Sequence, residues 1–140
     1  MANELPITTF RKDYSAPAYF INKVEMRFEL FDAKTRVSAK TYFFINDSAI
    51  NSDTGLKLSG EELHLLSVKI DGVALDGTRF IQDDTSLVIL DPPPSFMLEI
   101  ITEIEPSKNT SLEGLYQSNG NYCTQCEAEG FRKITYYLDR

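Results

Sequence analysis

The side chains able to do chemistry are few and unevenly placed. The single histidine, His64, lies in Leu63-His64-Leu65-Leu66. Any Ser-His-Asp or Cys-His arrangement would have to use it, whereas a lone imidazole in an apolar strand reads as a sheet-surface or core residue. The two cysteines, Cys123 and Cys126, stand in Cys-Thr-Gln-Cys. That spacing makes a redox pair where a helix terminus lowers a thiol pKa at a strand-to-helix junction, and here all-β sequence and a polar loop lead into it. A zinc site would have to combine Cys123, Cys126, His64 and carboxylates, with no second Cys-x-x-Cys and no histidine pair. Structural or incidental thiols are the expectation. Gln125, Glu127 and Glu129 lie between and beyond the cysteines; by type alone they are ordinary solvated side chains.

Composition narrows the possible partners. At 42% hydrophobic, 11% aromatic and 25% charged, the chain reads as a folded domain rather than a disordered tail, and 140 residues suffice for one sizeable core. A net charge of −7, with 14 Lys and Arg scattered among 21 acids, argues against a nucleic-acid partner, because a phosphate backbone is bound by clustered cations. No apolar run reaches the roughly 18 residues of a membrane span. The opening Met1-Ala-Asn-Glu-Leu-Pro6 lacks the basic and apolar regions of a signal peptide, and two close cysteines are no secreted disulfide framework. A cytoplasmic location follows as an expectation, which leaves the Asn-x-Ser matches at Asn46 and Asn109 without consequence.

The elements that must position these residues are strands. After an extended lead-in over 1–17, Val24, Met26, Phe28 and Leu30 alternate with Lys23, Glu25, Arg27 and Glu29. Period two marks a half-buried strand. Residues 32–35 turn the chain, and 36–45 alternate again, predicting an antiparallel hairpin. A polar loop over 46–55 precedes short runs at Leu56/Leu58 and Leu66/Val68/Ile70. The latter ends in Asp71-Gly72, a hairpin turn signal, and Asp76-Gly77 turns the chain once more. Runs at 87–90 and 96–104 flank Asp91-Pro92-Pro93-Pro94, which cannot enter a sheet interior. About seven or eight short strands with frequent turns predict an all-β antiparallel β-sandwich of two packed sheets. The stretch 107–122 reads as an irregular polar loop, and Phe131 and Ile134 suggest one helical turn before extended chain.

One segment carries far more information than its composition. Ser111-Leu-Glu-Gly-Leu-Tyr-Gln-Ser118, followed by Cys123-Thr-Gln-Cys-Glu-Ala-Glu-Gly-Phe-Arg-Lys-Ile-Thr-Tyr-Tyr-Leu-Asp-Arg140, closely resembles the alanyl aminopeptidase (aminopeptidase N) family of zinc metallopeptidases. Arg11-Lys-Asp-Tyr-Ser-Ala-Pro17 resembles the family's start more loosely. The resemblance implies a single amino-terminal, saddle-like β-sandwich domain over 1–140, continuing past Arg140 and packing on a thermolysin-like catalytic domain that is its main partner. It further implies that a loop over 107–130 reaches the active site. There, Glu127 would bind the free α-amino group at the N-terminus of a peptide substrate, and Gln125 would line the first specificity pocket.

The residue types suit those roles. An exopeptidase recognises a chain end by its amine, and a sheltered carboxylate gives that amine a charge-assisted bond of ~1.5–3 kcal/mol. An amide both donates and accepts, so it shapes a pocket without adding charge. The family's H-E-x-x-H helix, its downstream glutamate ligand and its Gly-x-Met-Glu-Asn strand have no counterpart in the sequence. These residues are therefore expected to hold no cofactor, zinc belonging to a full-length parent, and to hydrolyse nothing alone. Two other readings stand beside this one: a stand-alone β-sandwich protein-interaction module, and a small thiol oxidoreductase using Cys123 and Cys126.

Overall fold

A computed structural model describes residues 7–48 and 55–140, so the predicted loop over 46–55 lies largely outside the described residues. Among the described residues ten strands form, all paired antiparallel: β1 (Tyr19–Leu30), β2 (Thr35–Ile45), β3 (Leu56–Ser59), β4 (His64–Ile70), β5 (Val73–Ala74), β6 (Phe80–Gln82), β7 (Ser86–Ile89), β8 (Ser95–Ile104), β9 (Gly114–Ser118) and β10 (Asn121–Gln125). A five-stranded sheet runs β1-β2-β8-β4-β5, a three-stranded sheet runs β3-β7-β6, and β9 and β10 pair with each other. The predicted all-β sandwich is the observed fold.

Alternation builds the inner face of the large sheet. Thr35, Val37, Ala39, Thr41 and Phe43 are buried along β2, and Phe96, Leu98, Ile100, Thr102 and Ile104 along β8. The register from Thr35↔Ile104 to Phe43↔Phe96 sets these side chains opposite one another, where cross-strand pairs stabilise a sheet. The Asp71-Gly72 turn forms as predicted, with φ of 49° and 82°. The Asp71 carboxylate accepts the Met97 N–H at 2.9 Å, tying that turn to β8. The proline run is the crossing from β7, in the small sheet, to β8, in the large one.

Two strands depart from simple alternation. In β4 the predicted inward residue Leu66 is exposed, because the register slips between Leu65 and Ser67. The extra residue of a bulge reverses which face follows, so Leu65 points inward before it and Val68 after. A second bulge between Ile21 and Lys23 does the same in β1. Phe28 and Leu30 share the predicted apolar face, yet they are 42% and 51% exposed, since β1 is the sheet's edge.

The core is in two parts for a reason of length. β2 and β8 run 11 and 10 residues, while β3 and β7 have four each. At about 3.3 Å per residue, the small sheet covers less than half of the large one. It encloses Leu56, Leu58, Leu87 and Ile89 against Val68, Ile70, Phe96, Leu98 and Ile100. The remaining inner face, around Val37 and Ile104, is covered by Leu115 and Ile134. Those two residues belong to the segment from which Glu127 projects.

Candidate functional site

The stretch read as an irregular polar loop over 107–122 contains β9 and β10. Their turn is Asn119-Gly120, with φ of 51° and 79°, the double left-handed geometry that favours Asn-Gly in two-residue hairpins. The dipeptide was visible in the sequence, but its flanks are too polar to read as alternating strands. The rest of the C-terminal segment is irregular, apart from 3₁₀ turns at Pro106–Lys108 and Phe131–Lys133, the second where a helical turn was expected.

Three sets of contacts fasten this hairpin. Asn109 donates its amide to the carbonyls of Glu113 and Leu115, at 2.8 and 3.0 Å, shaping the approach to β9. Leu115 and the half-buried Cys126 join the second core cluster. Beyond the hairpin, the Thr102 hydroxyl donates to the Ile134 carbonyl at 3.0 Å within the core. Tyr137 exchanges backbone hydrogen bonds with Ser59 of β3. The chain on both sides of residues 127–129 is therefore pinned to the sandwich.

Between those pins lies a short exposed tip. Gln125, Glu127, Ala128 and Glu129 are exposed, and Gly130 is buried. The Gly130 N–H donates to the Cys126 carbonyl at 2.9 Å, closing the turn. A Cβ on Gly130 would lie 2.6 Å from the Gln125 carbonyl oxygen and 3.0 Å from the Cys126 Cα, so only glycine permits this approach. The Glu127–Ala128 peptide is cis.

The tip's two glutamates differ in their surroundings. Glu129 lies 3.2 Å from the Arg132 guanidinium. Among the described residues, no ion pair or side-chain hydrogen bond engages Glu127. Sequence reasoning missed Arg132 and Asp139, although both lie in the same distinctive string. The Arg132 Nε and backbone N–H both donate to the Asp139 carboxylate, at 3.0 and 3.1 Å.

The other candidates fall into place. Cys126 points into the core cluster, and burial, reinforced by Asp139, pushes its thiol above the ordinary value. A redox pair needs the opposite shift. Cys123 lies within β10 while Cys126 follows its end, and both cysteines are free. His64 is an exposed sheet-surface residue opposite Glu103, at the border of a cleft of about 410 Å³. The cleft's charges pair among themselves, Lys34 with Glu103 at 2.8 Å and Lys108 with Glu105 at 3.1 Å. Among the described residues, no three His, Cys, Asp or Glu side chains converge to hold a metal. No described helix is long and apolar enough to cross a membrane.

The chain is 47% identical over 135 residues to aminopeptidase N of Escherichia coli, a match covering 96% of the chain and 15% of that protein. Over nearly its whole length it matches an N-terminal part of aminopeptidase N proteins. No protein-family model matches the sequence. Among solved structures, Legionella pneumophila aminopeptidase A in complex with aspartic acid superposes with a TM-score of 0.83 at 27% identity, covering 92% of this chain and 15% of that one. An M1 zinc metallopeptidase of Deinococcus radiodurans shares the fold at a TM-score of 0.69 and 13% identity, over 88% of this chain and 30% of that one. The chain thus spans about 15% of the length of its E. coli relative. The zinc that the family implies finds no ligand set among the described residues.

Proposed function

We propose that this domain serves a zinc-dependent aminopeptidase by receiving the α-amino group of a peptide substrate on Glu127, with Gln125 lining the pocket beside it. A catalytic domain of the same full-length chain would hold the zinc and the general base, and would form the other wall of the cleft. The observation that carries this reading is the isolation of Glu127. It stands on an exposed tip with no partner among the described residues, while the neighbouring Glu129 is paired with Arg132.

A carboxylate left unpaired on a rigid support is suited to a cationic ligand. Once a second domain excludes water, its bond to an ammonium group strengthens. A fixed distance from that carboxylate to the reacting centre selects the first peptide bond and no other. Gln125 is three-dimensionally close to the tip, its carbonyl packed under Gly130, and its exposed amide adds no competing charge.

The test is Glu127→Gln in the full-length enzyme. Loss of one charge-assisted bond corresponds to roughly 10- to 100-fold in kcat/KM on an amino-acid amide, with bound zinc unchanged. An unaltered kcat/KM would refute the assignment.

A further inference from the structure

Glu127 lies between two anchored points. On one side, Cys126 packs in the core cluster and Gly130 presses on the backbone of Gln125 and Cys126. On the other, Arg132 gathers three separate stretches of chain. Its guanidinium donates to the Asp139 carboxylate at 3.0 Å and to the Asp139 carbonyl at 2.8 Å. It also pairs with Glu129 at 3.2 Å and approaches Glu61 at 3.9 Å. The Arg132 carbonyl accepts the Glu61 N–H at 3.0 Å. These contacts link the tip, the loop before β4 and the irregular stretch around Asp139.

The arrangement is a clamp with a selective outcome. Arg132 is 19% exposed and Asp139 only 9%, so their bond is sheltered and geometrically fixed, as a guanidinium fork requires. Glu129 is 63% exposed, so that arm contributes little to stability; its effect is on placement. Burial works against the Arg132 charge, but Asp139, Glu129 and Glu61 outweigh it and raise its pKa above the ordinary value. The cation is therefore permanent.

Resting on the function proposed above, we infer that Arg132 is a positioning residue for substrate recognition and that Glu129 is its handle on the tip. Arg132 draws Glu129 aside and through it restrains Glu127 and Ala128, the two residues between Cys126 and Glu129. Of the two glutamates, Glu127 alone is then presented to an ammonium group. Without the guanidinium, Glu129 would be released to compete for the cation and to repel Glu127, and the tip would lose one of its two fixings.

The experiment uses the full-length enzyme with Arg132→Gln, Arg132→Lys, Glu129→Gln and Glu127→Gln, assayed on an alanine p-nitroanilide. Arg132→Gln is expected to raise KM roughly tenfold, a modest part of what an ångström of misplacement does, with a smaller change in kcat. Arg132→Lys should fall between it and the parent, because an ammonium keeps the charge but not the fork. Glu129→Gln should raise KM in the same sense with an unchanged melting temperature. That variant decides the matter if Arg132→Gln fails to fold. A lowered melting temperature with KM unchanged in both Arg132→Gln and Glu129→Gln overturns the inference and leaves Arg132 merely structural. If Glu127→Gln itself leaves kcat/KM unchanged, the failure belongs to the underlying assignment of Glu127 rather than to the clamp.

Discussion

Gly130→Ala tests the tip most directly. The backbone of Gly130 is right-handed, with φ −85° and ψ −13°, so alanine is conformationally allowed, and removing a glycine from the unfolded chain would stabilise by about 0.4–1 kcal/mol. Packing opposes this. The added Cβ would lie 2.6 Å from the Gln125 carbonyl oxygen, where ordinary contact begins at 3.4 Å, so the two backbones must part by about 0.8 Å, their difference. Both neighbouring atoms are backbone and cannot swing away. Overpacking of this kind costs about 1–3 kcal/mol, and the net expectation is a loss of about 0.5–2 kcal/mol. Urea denaturation of the 140-residue chain measures it, with Gly77→Ala as the control, since a Cβ there meets nothing within 4 Å. If Gly130→Ala is as stable as Gly77→Ala, the close approach that shapes the tip is wrong.

Two buried threonines on the same face should respond oppositely. Thr102→Val strips the Ile134 carbonyl of its buried donor and should cost about 1–3 kcal/mol, whereas Thr35→Val removes a buried hydroxyl that has no partner among the described residues and should be neutral or stabilising by denaturant titration. Stability should also fall in acid. Glu103 is held below its ordinary value of 4.5 by its hydrogen bond from Lys34, and Asp83 below 3.8 by the Thr85 N–H and the Ser86 hydroxyl. For groups depressed in the folded state, the stabilisation is present above the unfolded value and lost as pH falls through the folded one. The melting temperature should therefore drop as pH is lowered beneath the ordinary carboxylate range, and Lys34→Met with Asp83→Asn should flatten that drop; an unchanged profile would contradict it.

Much of the architecture is local in origin and was legible for that reason. Alternation in 36–45 and 96–104, the Asp71-Gly72 turn and the proline run each act over a few residues, and each appears where expected. The bulge at Leu66 was not legible, because the identity of the bulged residue depends on how β4 aligns with β8. The hairpin of β9 and β10 escaped for a similar reason: one of its faces is held by Leu115 and Cys126 against distant strands, so its own sequence need not alternate.

By itself, the sequence determined the fold class and the absence of the family's zinc-binding motif from these 140 residues, because each depends on residue type at fixed spacing; the pair Gln125 and Glu127 is what its resemblance to the aminopeptidase N family implies. Only the tertiary structure decided that the segment after β8 covers the second, smaller part of the core, and that Glu129 is paired while Glu127 is left open. Arg132 reaches Asp139, Glu129 and Glu61 from three stretches of chain that pattern alone does not bring together. Ion pairing and close backbone approach are properties of space, and space is set by which strands cover which.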